Sequence, residues 1–116
     1  MTEPETQVFA ALADPTRWRL LEALAGRAGG TATTLAGEMP VSRPAVIKHL
    51  AVLGRAGLVE RRRVGREVVF AVRTEPLEQT ARWMAGLASE WDERLAALKR
   101  LAEDGEVLDG GGAPLS

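Results

Sequence analysis

The stretch Val41-Ser42-Arg43-Pro44-Ala45-Val46-Ile47-Lys48-His49-Leu50 decides the fold of this 116-residue chain. Ser42 followed by Pro44 is typical of a helix start, because serine caps free backbone amides and proline has no amide hydrogen to satisfy. One buried face is predicted by apolar residues at steps of four and three, namely Val46, Leu50 and Leu53. The opposite face carries small and basic side chains, so the pattern predicts a short helix with a cationic exposed side.

Upstream of this helix, the pattern predicts three further helices. The first covers Glu5–Ala13 and places an apolar stripe on one side, formed by Val8, Phe9 and Leu12. The second begins at Asp14-Pro15, where the aspartate caps the helix and the proline occupies its first position.

The third helix is short and is predicted over Thr31–Glu38, with Leu35 and Ala36 facing inward. The segment Met39-Pro40-Val41 then forms a tight turn before the helix that Ser42 caps. Two short helices joined by a turn of three or four residues make the helix-turn-helix pattern.

Downstream, Leu58–Arg63 and Glu67–Val72 are predicted to form two antiparallel strands. Gly57 ends the fourth helix in the left-handed conformation that glycine tolerates. The turn between the two strands is predicted at Val64-Gly65. The order of elements is therefore four helices, a hairpin and one more helix, without internal repeats.

The last helix is predicted from Glu75 to about Glu103 and has a length of roughly 40 Å. Its apolar residues alternate between steps of four and three, as in a coiled-coil seam. They are Leu77, Ala81, Met84, Ala88, Trp91, Leu95, Leu98 and Ala102. A domain of this size does not bury so long a helix, so a second copy of the chain is the simplest cover. We expect one domain over residues 1–104 and a disordered tail over residues 105–116, which includes three consecutive glycines.

Charge is distributed unevenly along the chain. The formal net charge is −1, but residues 41–73 contain eight cationic and two acidic side chains, a local net charge of +6. Residues 74–116 contain four cationic and nine acidic side chains, a local net charge of −5. A local basic face matters more for phosphate binding than the total charge does, so the central segment favours a nucleic-acid partner.

Several classes of protein are disfavoured by what the sequence lacks. Cysteine is absent, which excludes disulfides and thiolate metal sites. No apolar run reaches the eighteen or so residues of a membrane span, and the acidic start is unlike a signal peptide, so we expect a cytoplasmic protein. There is no paired nucleophile and base and no phosphate loop, so we expect neither an enzyme nor a bound cofactor.

Five ordered segments of the sequence resemble the ArsR family of bacterial winged-helix repressors. They are residues 11–17 (ALADPTR), 41–46 (VSRPAV), 49–53 (HLAVL), 56–59 (AGLV) and 62–66 (RRVGR). The resemblance implies a mainly α fold with a small β-hairpin, a winged helix-turn-helix with N- and C-terminal dimerisation helices. It also implies a homodimer that represses transcription from an inverted repeat in double-stranded DNA. The fourth helix would enter the major groove and the hairpin, the wing, would touch the flanking backbone.

Residues of the fourth helix and the wing are the candidates for contact with DNA. Arg43 is assigned to guanine edges and Lys48 to a phosphate. Ser42 is first a helix cap, and a phosphate contact would be its second role. The basic residues could instead be a solvated helix face and an edge strand protected against aggregation. The full predicted set is Ser42, Arg43, Pro44, Ala45, Lys48, His49, Arg62, Arg63 and Arg66.

His49 has three interpretations: contact with DNA, packing at the edge of the core, or ligation of a metal. Metal-sensing members of the family use cysteines, histidines and acids on the third or last helix. A lone histidine without cysteines is a poor metal site, so no metal is predicted. Ile47 stands where many members of the family carry a serine, so the operator sequence does not transfer from relatives.

The predicted dimer interface combines the first and last helices. Its residues are Val8, Phe9, Leu12, Leu77, Ala81, Met84, Ala88, Trp91, Leu95 and Leu98. Trp83 lies beside the seam and could line a pocket. An effector, either a small apolar molecule or a partner protein, is left open. The alternative function is a winged-helix interaction module whose basic surface binds an acidic protein partner instead of DNA. No membrane partner is expected.

Overall fold

The computed structural model describes residues 3–104. Five helices and one hairpin follow each other as α1 (Glu3–Leu12), α2 (Pro15–Ala25), α3 (Ala32–Glu38), α4 (Arg43–Arg55), β1 (Val59–Val64), β2 (Glu67–Val72) and α5 (Glu75–Asp104). The predicted mainly α fold with a small β-hairpin is confirmed. The chain divides into two compact units, one reaching to Thr80 and one starting at Ala81. The predicted tail lies outside the described residues.

Side-chain caps begin three of the helices, and the sequence predicts two of them, Asp14 and Ser42. The Asp14 carboxylate accepts hydrogen bonds from the amides of Thr16 and Arg17, at 2.7 and 3.2 Å. The hydrogen bond from the Arg17 amide is the main reason why the pKa of Asp14 lies below its ordinary value. Ser42 Oγ accepts from the amide of Ala45 at 3.3 Å at the start of α4. These caps satisfy amides that have no partner within their own helix.

The core lies within the first unit and takes side chains from α1 to β1. It consists of Val8, Ala11, Leu20, Leu21, Leu24, Ala32, Leu35, Val46, Leu50, Leu53, Leu58 and Val59. The predicted buried face of α4 is confirmed, since Val46, Leu50 and Leu53 are all in this set.

Val8 corrects one prediction about α1. It was expected to face a second copy, but it is only 2% exposed and belongs to the chain's own core. The reason is that Val8 and Ala11 lie three residues apart on one face of α1, which packs against α2. Phe9 and Leu12 are half-buried.

Two contacts fix α3 beside its neighbours. The Arg27 guanidinium, just after α2, donates to both carboxylate oxygens of Glu38 at 3.1 and 2.7 Å. This pairing lowers the pKa of Glu38, chiefly through the hydrogen bonds from Arg27. Thr31 Oγ1 accepts from the amide of Thr34 at 3.1 Å and caps α3. The helix-turn-helix therefore has both ends of its first helix anchored.

The hairpin turn differs from the prediction by one residue. The strands pair from Val59 with Val72 to Val64 with Glu67, so Gly65-Arg66 forms the two-residue turn. Gly65 has a φ of +64°, and glycine with positive φ at the first central position is the pattern of a type II′ turn. Val64 is a strand residue because the pairing register extends to it.

A third short segment joins the free edge of β2. Gly30 and Phe70 exchange backbone hydrogen bonds at 2.9 and 2.8 Å and form an isolated bridge. The sequence predicts no strand at Gly30. A Cβ added to Gly29 would lie 2.7 Å from Val69 Cγ1 and 3.0 Å from the Phe70 carbonyl oxygen, so the close approach requires glycine.

Backbone hydrogen bonds place the hairpin directly after α4. Gly57 has a φ of +78°, which confirms the predicted left-handed position. The Leu58 amide donates to the Leu53 carbonyl at 2.9 Å, and the Arg73 amide donates to the Leu58 carbonyl at 2.8 Å. The wing is therefore tied at its base to the end of α4.

The second unit is the greater part of α5. The helix has 30 residues and a length of about 45 Å. Between Ala81 and Asp104, all of them described, no residue is buried. Its exposed large apolar side chains are Met84, Leu87, Trp91, Leu95, Leu98 and Leu101. Across residues 3–104, no helix is long and apolar enough to cross a membrane.

Candidate nucleic-acid interface

The outward side of α4 presents most of its predicted DNA-contacting residues. Ser42, Arg43, Pro44 and Lys48 are exposed, whereas Ala45 and His49 are half-buried. Arg55, in the last turn, is also exposed and was not among the predicted residues. Its position seven residues after Lys48, two helical turns on, could have indicated that the two side chains lie on one face.

Arg43 is held in place by the preceding helix. Its Nε donates to Thr33 Oγ1 on α3 at 3.0 Å. Both terminal nitrogens, which bear the remaining donors of the guanidinium, have no acceptor among the described residues. A planar guanidinium with its terminal nitrogens available matches the acceptor pair that guanine presents in the major groove.

His49 lies at the edge of the core, beside α2. Its Nδ1 is 3.5 Å from Arg17 Nη1. Arg17 in turn donates from Nε to the carbonyl of Ala11 at 2.6 Å and from Nη2 to the carbonyl of Ala10 at 3.1 Å. Arg17 thus satisfies carbonyls at the end of α1, a role that the sequence analysis missed because it depends on how α1 and α2 pack.

The hairpin register separates the three consecutive arginines of β1. Arg61 pairs with Phe70 and Arg63 with Val68, and paired residues share a face of the sheet. Arg62, paired with Val69, points to the other face because side chains alternate along a strand. All three arginines and Arg66 are exposed. The prediction named Arg62 and Arg63 but missed Arg61, although this alternation was available from the sequence.

A groove of about 990 Å³ lies between α3, α4 and the hairpin. Its apolar floor includes Leu50, Val59 and Phe70. Four arginines and one carboxylate line it together with three threonines of the α3 start; they are Arg43, Arg55, Arg61, Arg66, Glu67, Thr31, Thr33 and Thr34. Guanidinium and hydroxyl groups are donors to phosphate oxygens, so this surface suits a sugar–phosphate backbone.

The groove brings together residues that are far apart in sequence. Of the predicted DNA-contacting residues, it includes Arg43 and Arg66. Thr33, Arg55 and Arg61 line it as well, and the sequence does not show that the side of α4 bearing Arg43 faces the hairpin. Within residues 3–104 no group of three or more histidine, cysteine, aspartate or glutamate side chains could hold a metal ion.

Comparison with known proteins assigns the fold to a family. Residues 12–62 match the profile of a helix-turn-helix domain. The transcriptional repressor SdpR of Bacillus subtilis is 31% identical over 88 residues, which are 76% of this chain and 97% of that protein. A transcriptional repressor SmtB homolog of Synechocystis is 46% identical over 66 residues, covering 57% of this chain and 49% of that protein.

Solved structures show the same likeness. An ArsR-like transcriptional regulator from Rhodococcus sp. RHA1 superposes with a TM-score of 0.79 at 46% sequence identity. The match covers 85% of this chain and 92% of the Rhodococcus chain. The likeness extends beyond the helix-turn-helix to most of the described residues. The chain therefore belongs to the ArsR family of DNA-binding transcriptional regulators.

Proposed function

We propose that the protein is a homodimeric repressor that binds an inverted-repeat operator in double-stranded DNA. The observation that carries the proposal is the groove with four arginines beside the exposed start of α4. In this proposal α4 enters the major groove and its first turn, from Ser42 to Ala45, approaches the base edges. Two relatives, SdpR and the SmtB homolog, are transcriptional repressors, which supports repression.

Each cation has a role that follows from its place. Arg43, oriented by Thr33, contacts a guanine, whereas Lys48 and Arg55 contact phosphates on the outward side of α4. Arg61 and Arg66 bind the sugar–phosphate backbone of the DNA strand next to the groove. Arg62 and Arg63, near the tip of the wing, contact the flanking backbone. Binding that uses so many cations weakens steeply as salt rises.

The second copy is proposed to cover the exposed apolar stripe of α5. The stripe alternates between steps of four and three and includes Trp91, Leu95 and Leu98, all exposed in the single chain. Phe9 and Leu12 of α1 keep part of their surface and are proposed to contribute as well. A dimer would hold its two α4 helices about 34 Å apart, which matches successive major grooves.

The inducing signal is proposed to be something other than a thiolate-bound metal. The chain contains no cysteine. Dialysis against zinc or arsenite, followed by DNA titration, should leave operator affinity unchanged. A loss of affinity with either ion would contradict this part of the proposal.

Titration of DNA by a matched pair of variants tests the main proposal. The preferred duplex is first selected from random sequences, and binding to it is compared with binding to a random duplex. Arg43→Ala should lower affinity for the preferred duplex roughly 5- to 150-fold, the usual loss of a bidentate base contact. Arg62→Ala should weaken both duplexes by a similar factor, because phosphate contacts carry no sequence information.

Equal effects of the two variants would contradict the assignment of Arg43 to base edges. A wild-type protein that ignores all DNA even at low salt would favour the alternative, a module for an acidic protein partner. Retention on a DNA column that is lost at moderate salt would support the DNA-binding surface.

A further inference from the structure

Ile47 is an apolar side chain that the fold leaves uncovered. Within Ala32–Arg55, every residue of which is described, it is the one large hydrophobic residue that is exposed, at 41%. The core side chains of α4 are Val46, Leu50 and Leu53, and the more exposed Ile47 is not part of that cluster. A β-branched residue also lowers helix propensity relative to alanine, so neither packing nor helix formation explains it.

Ile47 lies beside Arg43, the residue proposed to contact a base. It lines the groove together with Arg43, four residues earlier, and Ala51, four residues later. Residues at this spacing lie on one side of a helix, one turn apart. The small Ala51 leaves room beside Ile47, and no acidic side chain of α4 competes for this strip.

Distance along α4 relates Ile47 to the base that Arg43 would contact. Four residues rise about 6 Å along a helix, and base pairs are stacked about 3.4 Å apart. Ile47 is therefore about two base pairs from the guanine proposed for Arg43. In the major groove the apolar group that a hydrocarbon side chain can contact is the 5-methyl group of thymine.

We propose that Ile47 is a specificity-determining residue that contacts the 5-methyl group of a thymine within about two base pairs of the guanine bound by Arg43. This assignment rests on the proposed function, because it requires α4 in the major groove. Arg43 supplies the hydrogen-bonded contact and Ile47 the apolar one. Together they define two neighbouring positions in each half of the operator.

Replacement of thymine by deoxyuridine tests the assignment, because it removes the methyl group and keeps base pairing. Each thymine of the selected duplex is replaced in turn, symmetrically in both halves. The Arg43→Ala variant identifies one guanine, because it no longer prefers guanine at that position. At one thymine near this guanine, we expect the deoxyuridine replacement to lower affinity about fourfold per half-site, which corresponds to the free energy of burying one methyl group. Replacement at the other thymines should change affinity less.

Two variants complete a double-mutant cycle. Ile47→Ala should bind the thymine duplex as weakly as the wild type binds the deoxyuridine duplex, and should not distinguish the two. Lys48→Ala, at the neighbouring position, should weaken both duplexes and keep the wild-type discrimination. Since Ile47 is outside the core, thermal melting should show that Ile47→Ala remains folded.

The outcomes separate this assignment from the proposed function. If the wild type prefers a selected duplex but no deoxyuridine replacement near the guanine changes its affinity, the thymine contact is wrong and the proposed function stands. The same holds if Ile47→Ala keeps the full discrimination. If no duplex is preferred over random DNA, the proposed function and the thymine contact fail together.

Discussion

The region up to Thr80 and the region from Ala81 to Asp104 use apolar residues in opposite ways. Among residues 3–104, all twelve buried hydrophobic residues belong to the first region, where helices α1 to α4 and β1 cover one another. The second region has no buried residue, although its helix has large apolar side chains at regular spacing. The candidate DNA-binding surface is therefore supported by an internal core, whereas the long helix displays apolar surface that suits association.

Charge is also distributed unevenly along the chain. Residues 41–73 have a local net charge of +6, and residues 74–116 have −5. Phosphate attracts the first segment and repels the second. The same chain can therefore present a cationic surface to DNA and keep its long helix available for another copy.

The largest expected effect is on the core of the first region. Leu53 is fully buried, so Leu53→Ala should lower the free energy of unfolding by about 2–5 kcal/mol, because it leaves a cavity. Val64→Ala, at a site that is 54% exposed, should change it by no more than about 0.5 kcal/mol. Urea unfolding measures both values, and equal losses would contradict the contrast between core and surface.

The next effect concerns the stripe of the second region. Leu98 is 59% exposed, and Leu98→Glu should raise the dissociation constant of the dimer more than tenfold, since a charge would replace an apolar contact in both copies. Sedimentation velocity over a range of concentrations measures the change. Arg100→Glu is the control, because Arg100 lies on the side of α5 opposite to Leu98. This variant should dimerise as the unmodified chain does. A monomeric parent protein at all concentrations would show that the stripe has another use.

A smaller loss is expected where α4 passes into the hairpin. Gly57→Ala places a side chain at a φ of +78°, which should cost about 1–2 kcal/mol of stability. Gly37→Ala is the matched control, because it lies within α3 and an added Cβ would meet nothing within 4 Å. We expect that control to be neutral or slightly stabilising. Thermal or urea unfolding of the Gly57→Ala and Gly37→Ala variants measures the difference in stability between them. Equal stabilities would contradict the requirement for a left-handed conformation at Gly57.

The smallest effect is the pH dependence contributed by the cap of α2. The pKa of Asp14 is lower in the folded chain than its ordinary value of 3.8, mainly because the Arg17 amide binds the carboxylate. A lowered pKa stabilises the fold above pH 3.8, and this stabilisation disappears as pH falls through the folded value. The stability difference between the wild type and Asp14→Asn should therefore shrink upon acidification. A stability difference that stays constant from neutral pH to below pH 3 would contradict the stabilising role of the Asp14 carboxylate.

Local patterns account for what could be predicted about the fold. Ser42, Asp14 and Thr31 are short polar residues directly before apolar periodicity, and a cap bonds within three residues of itself, so its geometry needs no distant partner. The buried face of α4 follows from helical spacing for the same reason. The hairpin turn was misplaced by one residue because register depends on two strands at once.

The candidate site was predicted less completely than the fold. Arg43 could be named from the sequence, since it stands in the first turn of a capped helix. Its partner Thr33 could not, because ten residues and a turn separate them. Val8 was assigned to a partner copy because an apolar stripe alone does not show which surface will cover it.

The sequence by itself determined the order of the helices, their caps, the buried face of α4 and the concentration of positive charge, since these depend on neighbouring residues and periodicity. Only the tertiary structure decided that Arg61 and Arg55 face one groove, that Arg17 closes the end of α1, and that Ile47 remains uncovered. The physical reason is that these features arise where separate elements meet. Contacts between separate elements are determined by the packing of the whole core. They also depend on backbone hydrogen bonds such as those between Leu58 and Leu53 and between Arg73 and Leu58.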